Sequence, residues 1–220
     1  MINGRSSGLV DNLDDFHFHI LGCGAIGSST ALQLARMGAI NFCLYDYDKV
    51  DIVNIGVSQY NNDDIDKYKV DALDEHLKAI NPNITVDKFN ERFEHYSYRS
   101  GSDIAILGFD SMEARLEAVM IMCKANNTKP KFIIDGRMGA EHYQQYIFDN
   151  PTVNKYKKDW YSDEAGSVEP CNAKATSYCS NMSGSFIANA VRKLITKQPY
   201  NRKFSFNFPI MGLEKSRMLL

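Results

Sequence analysis

Two periodicities alternate along the chain. His17–Leu21, Asn41–Tyr45 and Ile84–Phe89 are short apolar or alternating runs of strand length. Ile104–Phe109 is almost continuously apolar, as expected of a parallel strand buried on both faces. Between these runs the spacing becomes helical. A helix is expected from about Ser28 to Met37, closed by Gly38. Another is expected from about Ile65 to Ile80, where Val70, Leu73, Leu77 and Ile80 share one face and Asn81-Pro82 stops the pattern. Met112 to about Ala125 reads as a third helix. Phe132–Ile134 is a short strand ending in Asp135-Gly136, and Tyr143–Phe148 reads as an antiparallel strand opening a second sheet or an edge.

The pattern then changes. Pro151 to Pro170 is polar and aperiodic, so it reads as a long exposed loop. A helix over Ser177–Thr196 follows, with small residues Ser183, Gly184, Ser185 and Ala188 suited to close packing, and Lys203–Phe208 reads as a last strand. Strands and helices in alternation imply an α/β fold with a doubly wound, mostly parallel Rossmann-like sheet. A smaller antiparallel extension is expected in the C-terminal part. The expected division is an N-terminal segment (1–14), a nucleotide-binding core (15–150), a crossover loop (151–176) and a C-terminal helix and strand (177–220) completing the same domain.

Composition narrows the class. With 220 residues, 44% hydrophobic and 24% charged, the chain can bury a full core. A net charge of −2 provides no broad basic field for nucleic acid or anionic membrane. No apolar run approaches the roughly 20 residues of a bilayer span, and the N-terminus has no apolar signal core, so a cytoplasmic location is expected. Five cysteines form no C-x-x-C pair, and no structural zinc is expected. The five histidines show no metal-ligand spacing and read as core or surface residues.

The first chemistry-bearing motif is Gly22-Cys23-Gly24-Ala25-Ile26-Gly27, directly after the first strand. G-x-G-x-x-G between strand and helix is a phosphate-binding turn. Gly22 permits the turn, Gly24 permits close backbone approach, and Gly27 permits close helix packing. Gly22, Gly24, Ala25 and Gly27 are the turn residues expected at the nucleotide, and the N-terminus of the helix that follows offers N–H groups and a positive dipole end to an anion. Asp46, ending the second strand twenty-two residues after Gly24, stands where a ribose-binding acid is expected. These features leave NAD(P) and ATP both open.

The stretch after Asp46 separates the two. Asp46-Tyr47-Asp48-Lys49-Val50, then Asn54-Ile55, Gln59 and Lys69-Val70 occur in that order. With Asp110 and Arg115 after the fourth strand, Asp135-Gly136-Arg137 after the fifth and Pro170-Cys171 near the end of the crossover, this order resembles the ThiF, MoeB, HesA and ubiquitin-activating-enzyme family, in particular its compact phage and bacterial ThiF-type members. The resemblance covers residues 15–195. It implies ATP- and Mg²⁺-dependent adenylation of a C-terminal carboxylate on a ubiquitin-like or sulfur-carrier protein or a peptide, carried out by a homodimer. On that implication Asp46 binds the ribose, with Asp48 close by. Asn54, Gln59 and Lys69 surround the phosphates, and Asp110 holds Mg²⁺. Arg5 reaches across a dimer interface, and Cys171 is the candidate for covalent linkage to a carrier.

Two departures stand out. The family places an arginine just before the glutamine, whereas Val57 and Ser58 occupy that stretch here. Arg137, expected just beyond the carboxyl end of strand five, is the candidate replacement. The zinc-binding cysteine pairs of many members are also absent. An NAD(P)-dependent oxidoreductase would explain the glycine turn and Asp46 but gives no role to Asn54, Gln59, Lys69 or Asp110. A catalytically weak ThiF-like scaffold would explain the missing arginine.

Overall fold

The structure is a computed structural model, described here for residues 8–125, 127–165, 175–216 and 218–219. In chain order the elements are β1 (His17–Leu21), α1 (Ala25–Met37), β2 (Asn41–Tyr45), α2 (Ile52–Ile55), α3 (Lys69–Ile80), β3 (Thr85–Phe89), β4 (Asp103–Leu107) and α4 (Met112–Met122). Then come β5 (Phe132–Gly139), β6 (His142–Asp149), α5 (Val153–Lys157), α6 (Ser177–Ile195), β7 (Tyr200–Asn201), β8 (Lys203–Asn207), β9 (Gly212–Lys215) and β10 (Met218–Leu219).

One sheet of eight strands runs in the order β3-β2-β1-β4-β5-β6-β8-β9. The first five strands are parallel; β6, β8 and β9 continue the same sheet antiparallel. The α/β class and the antiparallel C-terminal extension are as the pattern predicts. Tyr143–Phe148 does not open a second sheet, because β5 runs on through Gly139 and folds back as a hairpin onto β6. The only second sheet among the described residues is the small β10–β7 pair.

Side chains alternate across β1 and divide the core. Phe18 and Ile20 join Phe42, Leu44, Ile106 and Ile134 beneath α1, α3 and α6. Leu21 joins Cys43, Tyr45, Ala105, Leu107 and Ile133 on the other face, covered by Val119 and Met122 of α4, Tyr156 of α5 and Phe93. The small residues of α6 let it lie against α1: a Cβ on Gly184 would fall 2.7 Å from the Ser29 carbonyl carbon.

Several boundaries differ from expectation. α3 begins at Lys69, not Ile65. Asn61 accepts from the Asp63 N–H at 2.8 Å while Asp64 accepts from the Asn61 N–H at 2.9 Å, which closes a separate 3-10 turn over Asn62–Asp64. Asp66 then takes a left-handed conformation, φ 67°, that no helix can pass through. The polar stretch from Pro151 is not all loop, since it contains α5 and a 3-10 turn at Asp163–Ala165.

Candidate nucleotide site

The site grows from the carboxyl ends of β1 and β2. The chain leaves β1 through Gly22, at φ 90°, whose N–H donates to the Tyr45 carbonyl at 2.8 Å. A Cβ here would meet the Gly108 backbone at 2.8 Å, so the ends of β1 and β4 meet across glycine. A Cβ on Gly27 would collide with the Gly22 carbonyl oxygen. Gly24 is the N-cap of α1 and has open space where its Cβ would stand. Ser28 N–H is bonded to the Gly24 carbonyl at 2.9 Å, which leaves the N–H groups of Ala25, Ile26 and Gly27 without an intrahelical acceptor. These N–H groups, without a partner among the described residues, and the helix dipole make an anion cradle. It lies where β1 is flanked by β2 and β4 and the connections diverge, the position at which doubly wound sheets bind ligands.

Asp46 forms the second wall. Its Oδ2 accepts from the Cys23 N–H at 2.7 Å and its Oδ1 from the Asp48 N–H at 2.9 Å. The side chain is 9% exposed, and burial raises its pKa against the lowering pull of Lys69 and these two N–H groups. Lys69 opens α3 opposite. Its Nζ donates to Asp48 Oδ2 at 2.7 Å and stands 4.0 Å from Asp46 Oδ1. Burial opposes the Lys69 charge, but Asp46 and Asp48 outweigh it and hold the ammonium above its usual range. Lys69 is therefore a charged, pre-positioned cation beside the turn. Asp48 is half exposed.

Tyr60, buried, ties these parts together; its hydroxyl donates to the Cys23 carbonyl at 2.6 Å and lies 3.3 Å from the Lys69 carbonyl. Gln59 sits against the same first turn of α1. Its N–H donates to Ser28 Oγ at 3.1 Å, and its Nε2 donates to Asn181 Oδ1 of α6 at 2.8 Å. Asn54 serves its own loop: its Oδ1 accepts from the Asp51 N–H at 2.9 Å and closes the capping box of α2. The structure thus brings Gly22, Gly24, Ala25, Gly27, Asp46, Asp48, Gln59 and Lys69 together around one turn.

Asp110 lies just past β4 and is exposed. Ser111, not Asp110, caps α4, accepting from the Ala114 N–H at 3.2 Å. Asp163 from the crossover accepts from the Met112 N–H at 3.2 Å. Asp110 is left without a partner among the described residues. No three His, Cys, Asp or Glu side chains among the described residues are grouped to hold a metal. A single exposed carboxylate nevertheless suits Mg²⁺, which keeps much of its octahedral shell as water and phosphate oxygen.

Arg137 requires a correction. It is not beyond β5 but inside it, paired with Gln144 of β6. Its Nε and Nη2 donate to Asp135 Oδ2 at 2.9 and 2.7 Å, and its Nη1 donates to the Asp159 carbonyl at 2.8 Å. The guanidinium stacks 4.1 Å over Tyr146 and 4.9 Å over Tyr161 and is 5% exposed. A guanidinium so committed cannot replace a phosphate-side arginine. Arg115 is also structural. It pairs with the fully buried Asp135 and donates to the Leu107 and Phe109 carbonyls, which fixes the end of β4 just before Asp110. Arg5 and Cys171 lie outside the described residues. Cys23 is buried, and burial pushes its thiol well up, so it is no nucleophile.

The segment that holds the glycine turn, the acid ending β2 and the lysine opening α3 lies within residues 4–219, which match one family model, described as the ThiF family. The chain belongs to the ThiF family. Among its relatives, ubiquitin-like modifier-activating enzyme 5 of Oryza sativa subsp. japonica is 30% identical over 128 residues, covering 50% of this chain and 30% of that protein. Its counterpart in Branchiostoma floridae is 31% identical over 130 residues, covering 51% and 32%. This ThiF-family chain spans about a third of the length of those relatives. Solved structures share the fold: E. coli MccB with ATP, at TM-score 0.73 and 18% identity, covers 94% of this chain and 64% of MccB. PaaA, at TM-score 0.70 and 21% identity, covers 98% of this chain and 78% of PaaA.

Tyr60 and Asn181 were not legible as site residues in the sequence. Their contacts to Cys23 and Gln59 span 37 and 122 residues, and no local pattern marks them.

Proposed function

We propose that this ThiF-family chain is an ATP- and Mg²⁺-dependent adenylyltransferase that activates a C-terminal carboxylate as its acyl-adenylate. The substrate class is a ubiquitin-like or sulfur-carrier protein, or a peptide. The observation that carries the reading is the placement of Lys69, a buried and charged ammonium beside both the strand-end acid Asp46 and the glycine turn. An NAD-dependent oxidoreductase, whose strand-end acid binds an unphosphorylated ribose, needs no cation there. The reading draws further support from the MccB structures, which hold ATP in one case and AMPCPP with MccA in another, and from the printed name of the modifier-activating relatives.

In this reading Asp46 accepts from the ribose hydroxyls. The N–H groups of the first turn of α1 receive phosphate oxygens, and Gln59 donates to them. Lys69 shifts from Asp48 toward the α-phosphate and neutralises the charge that builds on its oxygens. Asp110 would hold Mg²⁺, which would supply positive charge beside the pyrophosphate oxygens. The carboxylate oxygen forms a bond to the α-phosphorus, the bond from that phosphorus to the bridging oxygen breaks, and pyrophosphate leaves with the electron pair. No proton need move, so positioning and electrostatics carry the rate. A cytoplasmic homodimer, with Arg5 supplied by the partner, belongs to the same proposal.

ATP–pyrophosphate exchange tests it. Exchange should appear with a peptide or small protein bearing a free C-terminal carboxylate and vanish when that terminus is amidated. Tight NAD binding with no carboxylate-dependent exchange would overturn the reading.

A further inference from the structure

Helix α6 lies far along the chain from the nucleotide motifs, yet it is fastened to the first turn of α1. Ser180 Oγ donates to the Ala25 carbonyl at 2.9 Å, and Ser29 Oγ donates to the Asn181 carbonyl at 3.4 Å. Gly184 allows this approach, because any side chain there would meet the Ser29 backbone. The contact is close, and it sets one exposed carboxamide, Asn181, at the rim of the site. Asn181 Oδ1 takes one of the two Nε2 hydrogens of Gln59 at 2.8 Å. The backbone of Gln59 is fixed independently, by its N–H to Ser28 Oγ at 3.1 Å. With both ends held, the Gln59 side chain has one orientation, and its second amide hydrogen is uncommitted among the described residues. Elsewhere on α6, the Asn189 side chain accepts from Arg192 of its own helix at 3.4 Å and has no other side-chain partner among the described residues.

We propose that Asn181 is a positioning residue for the nucleotide site, acting through Gln59. The inference rests on the adenylation reading, and it assigns a share of nucleotide affinity to a helix outside the glycine-turn unit. An unrestrained glutamine carboxamide must be ordered when it meets a phosphate oxygen; Asn181 imposes that order in advance. Its loss therefore weakens ATP binding rather than the chemical step. Because Asn181 acts through Gln59, its effect vanishes when Gln59 is removed.

The test is a double-mutant cycle read by equilibrium ATP titration of the full chain. Asn181→Ala and Gln59→Ala should each raise the ATP Kd, by about three- to tenfold for a single hydrogen-bond contribution. The double variant should bind no worse than Gln59→Ala alone. In exchange assays Asn181→Ala should raise KM for ATP and leave kcat within about twofold. Asn189→Ala, the control on the same helix, should bind as the native chain does. Native affinity in Asn181→Ala, or fully multiplicative losses in the double variant, would overturn the assignment while leaving the functional reading intact. A native chain that fails to bind ATP would overturn both.

Discussion

Asp103, fully buried, and Asp46, whose side chain is 9% exposed, stand at opposite ends of the parallel strands of one sheet, and they behave oppositely. Asp103 opens β4. Its Oδ2 accepts from Tyr96 Oη at 2.7 Å and the Arg99 N–H at 2.9 Å, and its Oδ1 from the Ser100 N–H at 2.9 Å and Ser100 Oγ at 3.3 Å. His19 Nε2 stands 3.2 Å away, outside hydrogen-bonding alignment, and His17 Nδ1 3.8 Å away. Burial works to raise the Asp103 pKa, but His19 and these donors hold it below the usual carboxylate range. Asp46, ending β2, has two backbone donors and a lysine 4.0 Å off, and burial wins: its pKa is raised. The difference is one of donor supply, since hydrogen bonds to the charged form and burial push a carboxylate in opposite directions. Asp103 is a saturated anchor for the loop before β4. Asp46 keeps unused acceptor capacity at the ligand-binding edge, which two ribose hydroxyls would fill.

The largest effect should fall on Asp103. Asp103→Ala strands several buried donors and should destabilise the fold by about 3–5 kcal/mol, seen as a lowered Tm or denaturant midpoint. The contribution has a definite pH sign. The folded pKa is below the unfolded value of about 3.9, so the stabilisation is complete above that value and is lost as pH falls through the folded pKa. The Tm gap between native chain and variant should therefore narrow in strong acid. An equal gap at every pH would break the comparison.

Lys69→Ala should follow. In the proposed adenylation it removes the cation that would neutralise the reacting phosphate, and it should lower exchange about a hundredfold, or about 2.7 kcal/mol. It should leave the fold intact, because Asp48 is half exposed and Asp46, 4.0 Å away, keeps the Cys23 and Asp48 N–H donors. A chain that loses Tm in step with activity would show Lys69 to be structural. Tyr60→Phe should have the smallest effect of this series. It deletes the hydroxyl that holds the Cys23 carbonyl, costs about 1 kcal/mol of stability and weakens ATP binding a few-fold.

The comparison also shows what the sequence could disclose. Hydrophobic alternation marked β1 and β2, and the glycine spacing marked the turn, because both are local. The start of α3 was misplaced because a capped 3-10 turn and the left-handed Asp66 interrupt a pattern whose apolar spacing looks continuous. Arg137 was placed past the strand because Asp135-Gly136 resembles a turn, whereas the hairpin with β6 carries β5 on to Gly139. The fate of its guanidinium depended on Asp159, Tyr146 and Tyr161, which no spacing relates to it. Asp46 was legible by position, but its shortage of donors was not. Whether an acid is saturated depends on loops such as Tyr96–Ser100, whose approach is a tertiary fact.

The most direct measurement compares ATP with 2′,3′-dideoxy-ATP in equilibrium titrations of the native chain and of Asp46→Ala. The native chain should prefer ATP by about tenfold or more, the worth of hydroxyl hydrogen bonds to a charged acceptor. Asp46→Ala should bind both nucleotides with the same, weaker affinity. Equal binding of the two nucleotides by the native chain, or a preference that survives Asp46→Ala, would contradict the assignment of Asp46 as the ribose-binding acid.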